Sequence, residues 1–250
     1  MDGLNKRKIN ELVDENYVYA SVLYYFGIEF YDYSEHTLEQ VCKEKGLNVQ
    51  AVTDQLESIS RNDDQVDLTL ISCPVDLIIE YLKHAHYLFI KQKLPYIAKL
   101  IEEFETDHED FKHIARDLKF VFPLFVEDFI HHIYQEEDTL FSYILSLNRF
   151  VERSRNHSEV FFQMEEHSIQ RFSMEHDAHD DEMRGIAKIT NNYDYNRHTP
   201  LHVRVIYEEL KSFEKNLVAH AKVENEILFP KALLLEKQVK EKFSKIVSLN

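Results

Sequence analysis

The sequence predicts an all-α fold: an antiparallel four-helix bundle preceded by a small helical amino-terminal domain. Three observations carry that reading. Only 4 Gly and 5 Pro occur in 250 residues, too few for the many turns of an all-β chain. Hydrophobic residues make up 44% of the chain, enough for a sizeable core. Apolar residues also recur at helical spacing through four long stretches.

Residues 1–65 read as the small domain. Leu12 to Phe26 predicts a helix stopped at Gly27, a natural left-handed terminus. Thr37-x-x-Gln40 is a capping box that opens a second helix, ended at Gly46. Asn48 caps a third, through Val52 and Leu56. The polar run Arg61-Asn-Asp-Asp-Gln65 has linker composition and places a boundary between residues 61 and 73. The bundle then occupies 74–250. Its first helix opens at Pro74 and carries the stripe Ile78, Leu82, Phe89, Ile90, Ile97 and Ile101. The second runs from near Asp107 to about Leu147, with Pro123 predicting a kink or break. The third runs from about Ser158 to Ile189 and is ended by Asn191 and Asn192. The fourth has Thr199 as its cap and Pro200 in the first turn, and reaches Val223 to Leu228. Pro230 is expected to interrupt it before a final helix from Lys231 to about Val247. Four long helices joined by short links favour antiparallel packing.

Lys and Arg number 29 against 45 Asp and Glu, a net charge of −16. Such a surface repels phosphate backbones and anionic lipid, which sets nucleic acid and membrane aside as partners, and it attracts cations. The two cysteines, Cys42 and Cys73, imply no disulfide framework. Met1 to Asn16 is polar and lacks the apolar core of a signal peptide, and no stretch has the apolar length of a membrane span. The expected setting is cytoplasmic. Fourteen histidines are many for this length, and imidazole is the commonest metal ligand.

Two segments match one another. His132-Ile-Tyr-Gln-Glu136-Glu-Asp-Thr-Leu140-Phe141 and His220-Ala-Lys-Val-Glu224-Asn-Glu-Ile-Leu228-Phe229 both read His-x-x-x-Glu-x-x-x-Leu-Phe. Spacing i, i+4 puts His and Glu on one helix face, and the Leu one turn further marks that face as core. One such pair is most often an ordinary contact on a solvated face. Its recurrence on two bundle helices, with the trailing Leu-Phe, points instead to a two-metal site. A buried His and Glu are costly unless paired or bound to metal. The other two helices offer His176, in Met174-Glu-His176-Asp-Ala-His179, and His84 or His86, in Lys83-His-Ala-His86-Tyr. His86 continues the stripe Ile78, Leu82, Ile90 and is favoured, whereas His84 lies roughly 160° around the helix; both stay among the candidates. His131 is expected to point elsewhere, and His36, His108, His113, His157, His167, His198 and His202 read as surface or packing residues. Imidazoles and carboxylates without thiolate suit iron, with manganese or zinc as lesser options. Two ions sharing carboxylates and an oxo or hydroxo bridge fit iron best, leaving coordination open to O2, NO or peroxide.

These residues resemble the hemerythrin-like cation-binding domains of the repair-of-iron-centres type. The likeness rests on His132-x-x-x-Glu136-Glu-x-x-Leu-Phe, Met174-Glu-His176-Asp, and His220-x-x-x-Glu224-Asn-x-Ile-Leu-Phe-Pro230-x-Ala-Leu. Phe26-Gly-Ile-Glu-Phe30 and Thr37 to Leu47 extend it to the small domain. The resemblance implies a non-haem di-iron centre bridged by Glu136 and Glu224, with His132, His176 and His220 as terminal ligands. It implies a role in repairing damaged iron–sulphur proteins after nitrosative or oxidative stress. An O2- or NO-binding sensor and a di-iron redox enzyme are the competing expectations, and a homodimer is compatible with either. The sequence departs from the family pattern twice. Tyr31-Asp32-Tyr33-Ser34 stands where the family has a Cys-Cys pair, and the family's first-helix His falls on Tyr87, beside His86 and His84.

Overall fold

A computed structural model describes residues 3–59, 68–106, 108–153, 157–177 and 183–248. Among these residues the fold is all-α, with a single isolated bridge, Lys8 to Thr37, and no strand. No helix among them is long and apolar enough to cross a membrane. Residues Arg61–Gln65, expected as a linker, lie outside the described set.

The chain groups into two compact units that do not follow a linear boundary. The first joins residues 1–65 to 95–120 and 186–213; the second comprises 66–94, 121–185 and 214–250. Helical segments far apart in sequence therefore share a unit with residues 1–65, which a linear division at residue 65 does not anticipate.

In the first unit, α1 (Ile9–Glu15) and α2 (Val18–Tyr25) replace the single helix expected up to Gly27. Asn16 breaks it with extended backbone, and its side-chain oxygen accepts the amide of Val18 at 3.1 Å. Gly27 then adopts φ +72°, the left-handed terminus. The capping box of α3 (Leu38–Glu44) forms as expected, with Gln40 N donating to Thr37 Oγ1 at 3.3 Å and Thr37 N to Gln40 Oε1 at 2.9 Å. Asn48 caps α4 (Val49–Ile59) by accepting the amides of Gln50 and Ala51. Tyr31 stacks flat on His202, whose Nε2 lies 3.0 Å from Leu100 O, so His202 is a packing residue. Burial pushes the Tyr31 phenol up to about 12.

The second unit holds α5 (Val75–Leu88), the carboxyl-terminal part of α7 (Glu109–Gln135), α8 (Ser142–Arg153), α9 (His157–Glu166), α10 (Ile169–Asp177) and α13 (Phe229–Ser248). The third predicted helix is broken at His167 and Ser168. α6 (Leu94–Glu102), α11 (Arg184–Ile189) and α12 (Leu201–Val223) complete the order. Pro123 lies inside α7 without ending it. Pro230 does not interrupt its helix either. A π-helical turn, Glu224–Leu228, joins α12 to α13, and Pro230 is the second residue after it. Pro95 stands likewise after the π turn Phe89–Lys93. A π turn shifts the hydrogen-bond register by one residue, so a proline that cannot donate is accommodated there.

The core of this unit is built from Ile78, Ile79 and Leu82 of α5, Ile144, Leu147 and Phe150 of α8, and Ala232 and Val239 of α13, all buried. Glu236 on α13 is buried among them. Its Oε1 accepts Tyr143 Oη at 2.9 Å and the Ile169 amide at 3.3 Å, while Lys240 reaches Oε2 at 3.2 Å. Burial first, and then the Glu236 carboxylate, drives the Tyr143 phenol far up, so its proton stays in place to be donated. Glu236→Ala strands the buried Tyr143 hydroxyl and the Ile169 amide; it is expected to destabilise the protein by about 1–3 kcal/mol in a denaturant titration, with Tyr143→Phe losing less.

Candidate metal centre

α5 and the carboxyl-terminal ends of α7 and α12 deliver polar side chains to a common point. α5 brings His86, on the buried face with Ile78, Ile79 and Leu82 and only 2% exposed. α7 ends at Gln135 and passes into the π turn Glu136–Phe141, whose first residue is Glu136. α12 ends at Val223 and passes into the π turn that starts at Glu224. Both glutamates thus open a π turn. The wider turn buries residues 136, 140 and 141 on one strip and 224, 227 and 228 on the other.

The four side chains meet closely. One donor atom from each of His86, Glu136, His220 and Glu224 lies within 4.8 Å of all the others. His86 Nε2 is 3.0 Å from His220 Nε2 and 3.4 Å from Glu136 Oε2; His220 Nε2 is 3.3 Å from Glu224 Oε1. Glu224 is fully buried and Glu136 nearly so. Phe141 lies parallel to the His86 ring at 5.7 Å, and Phe89 meets His220 edge-on. Glu137 contacts His86 from the other side, its Oε1 2.8 Å from Nδ1. A cavity of about 530 Å³ opens onto the cluster and is lined also by His132, Phe129, Met183, Arg184 and Leu217.

Burial pushes the Glu136 carboxyl up to about 7, helped by the negative charge of Glu224. Burial alone would lower the His86 imidazole, but hydrogen bonding and charge from Glu136, with Glu137 behind, raise it. Two buried carboxylates facing one another repel unless protons or a cation sit between them. The imidazole contact of 3.0 Å holds at most one proton, and His220 Nδ1 is buried with no hydrogen-bond partner among the described residues. Nitrogen and carboxylate donors converging in this way suit a hard or borderline divalent or trivalent cation. The group fits metal ions as it stands.

The candidates named from sequence divide accordingly. His86, Glu136, His220 and Glu224 come together. His132 is half-buried and lines the same cavity but is not one of the four converging residues. His84 is exposed, because two residues along α5 it faces away from His86, and Tyr87, where the family's first-helix His falls, is 56% exposed. His131 is exposed as expected. The backbone of His176 lies in α10, its side chain outside the described residues, as is all of His179. Sequence reasoning missed Glu137 and the π turns. Pro95 and Pro230, at matching places after two of those turns, were the available signal.

Comparison with known proteins agrees with this geometry. The profile described as the hemerythrin HHE cation binding domain matches residues 77–232. Among curated relatives, the probable iron-sulfur cluster repair protein of Haemophilus influenzae is 26% identical over 202 residues, covering 78% of this chain and 82% of its own. The iron-sulfur cluster repair protein ScdA of Staphylococcus haemolyticus is 19% identical over 231 residues, covering 91% and 98%. The iron-sulfur cluster repair protein YtfE of Yersinia pseudotuberculosis is 23% identical over 201 residues, covering 80% and 84%.

The electrostatics set a pH dependence for the metal-free protein. Glu136 and His86 are both raised in the folded state, so the stability they contribute is present at low pH and lost as pH rises through their folded values. The melting temperature of metal-free wild type is expected to fall relative to Glu136→Gln between pH 4.5 and about 7, the ordinary and the folded values for Glu136. A wild-type curve that rises relative to the variant over that interval overturns the assignment of a raised Glu136.

Proposed function

The chain belongs to the hemerythrin HHE cation-binding domain family, and from that premise we propose that it is a two-iron protein serving iron–sulphur cluster repair under oxidative or nitrosative stress. The observation that carries the reading is the convergence of two buried carboxylates and two imidazoles within 4.8 Å. The proposed ligands are Glu136 and Glu224 as bridges and His86 and His220 as terminal donors, with His132 and His176 completing the imidazole set. Bound there, the ions would have their charge offset by the two carboxylates and would be held by neutral imidazoles.

Iron bound there supplies redox and Lewis-acid chemistry toward O2, NO or peroxide. The chain's own residues govern access and protons. Phe89 and Phe141 wall the donors on one side, while the cavity past Phe129 and Leu217 admits a small molecule. Glu136, with its carboxyl near 7, takes up a proton when no cation is present and gives it up when one arrives. The repair role rests on the relatives described as iron–sulphur cluster repair proteins, which span most of this chain.

Elemental analysis of protein purified without chelator is expected to give about two irons per chain, and Glu136→Ala or Glu224→Ala to lose at least one. Full metal content in both variants refutes the ligand set. Loading raises the melting temperature, since an ion at 100 times its Kd stabilises the folded state by about 2.7 kcal/mol. Incubation of the iron-loaded chain with a cluster enzyme inactivated by NO separates repair, which restores activity, from reversible ligand binding, which changes only the visible spectrum.

A further inference from the structure

The two halves of the site are not alike. Behind His86 stands a carboxylate: Glu137 Oε1 lies 2.8 Å from Nδ1, and its side chain is 27% exposed against 2% for the imidazole. Glu136 meets the other nitrogen of the same ring, 3.4 Å from Nε2. Two consecutive residues of an α-helix diverge by about 100° and do not ordinarily reach one partner from opposite edges. Here they do, at the start of the π turn Glu136–Phe141. In the matching block the residue after Glu224 is Asn225. Its Oδ1 and His220 Nδ1 are both buried without a hydrogen-bond partner among the described residues. Duplicated motifs have thus diverged at one position, with a consequence for only one imidazole.

We propose that Glu137 is a positioning residue: by accepting the Nδ1 proton of His86 it fixes that ring with its Nε2 lone pair aimed at the metal centre, a support that no described residue gives His220. This inference rests on the two-iron reading and adds an inequality between the two imidazoles. An imidazole whose far nitrogen donates to a carboxylate is locked in tautomer and orientation and is a more basic ligand; losing such a partner costs roughly 10–100-fold in metal affinity. Parallel stacking on Phe141 holds the plane of the ring, and Glu137 sets its rotation within that plane. His220 is held by the edge of Phe89 and by Glu224 on its Nε2 side. The ion that His86 ligates is therefore held more tightly for having Glu137 behind that ring.

The test uses the full chain stripped with chelator and titrated anaerobically with Co(II), read by its visible ligand-field bands and by chelator competition. Wild type is expected to take up two ions in distinguishable steps. Glu137→Ala should weaken the step that involves His86 roughly 10–100-fold and shift its bands. Glu137→Gln keeps an acceptor oxygen at the same place and should return affinity to within a few-fold of wild type. The metal-free melting temperature of Glu137→Gln should stay close to wild type, while that of Glu137→Ala falls as the buried Nδ1 donor loses its acceptor. Wild-type affinity and spectrum in Glu137→Ala overturn the inference while leaving the two-iron reading intact, as does a Glu137→Gln protein as impaired as Glu137→Ala. A wild type that binds no cobalt and no iron overturns both.

Discussion

Two carboxylates buried face to face, Glu136 and Glu224, are the constraint on which the second unit depends. Taking one ionised carboxylate out of water costs several kcal/mol, and bringing a second beside it adds repulsion. Helical packing alone gives no return for that arrangement. The site must hold protons, cations or both. The imidazoles of His86 and His220 supply partial compensation, and the rise of the Glu136 carboxyl to about 7 shows how incomplete it is without an ion. A buried polar cluster of this kind in an otherwise apolar core is weak evidence for stability and strong evidence for a ligand.

The π turns are the backbone's answer to the same constraint. Regular α-helix would carry Glu136 and Leu140 inward while turning Phe141 aside. The inserted residue keeps all three buried, so Phe141, which stacks on His86, shares its buried strip with Glu136. Poorer hydrogen-bond geometry in each π turn is tolerated because the segments on either side continue as long, well-packed helix. Pro95 and Pro230 fall where the ladder changes register, so a residue that breaks most helices marks the continuation of these.

Packing and ion pairs hold the first unit together. Arg204 pairs with Asp14 and lies 3.1 Å from the Tyr17 hydroxyl, fastening α12 to residues at the start of the chain. Tyr31, in the segment where the resembling family carries paired cysteines, stacks on His202. Cys42 is buried and burial pushes its thiol up, so this thiol is not primed for reaction. The small helical region of this chain therefore offers no reactive thiol pair among the described residues.

Sequence by itself determined the helical class, the capping of α3 and α4, the left-handed stop at Gly27 and the two His-x-x-x-Glu blocks. These are local properties: periodicity, side-chain caps and spacing along one helix are set by residues within a turn or two of each other. Preference for His86 over His84 was legible too, since it follows from the stripe of α5. Only the tertiary structure decided that His86 and His220 approach to 3.0 Å and that Glu137 stands behind one imidazole while no described residue hydrogen-bonds the far nitrogen of the other. It also decided that residues 95–120 and 186–213 share a unit with residues 1–65. Those outcomes depend on the register of helices more than 50 residues apart in sequence. One π turn displaces such a register by a full residue, which a pattern read at 3.6 residues per turn does not detect.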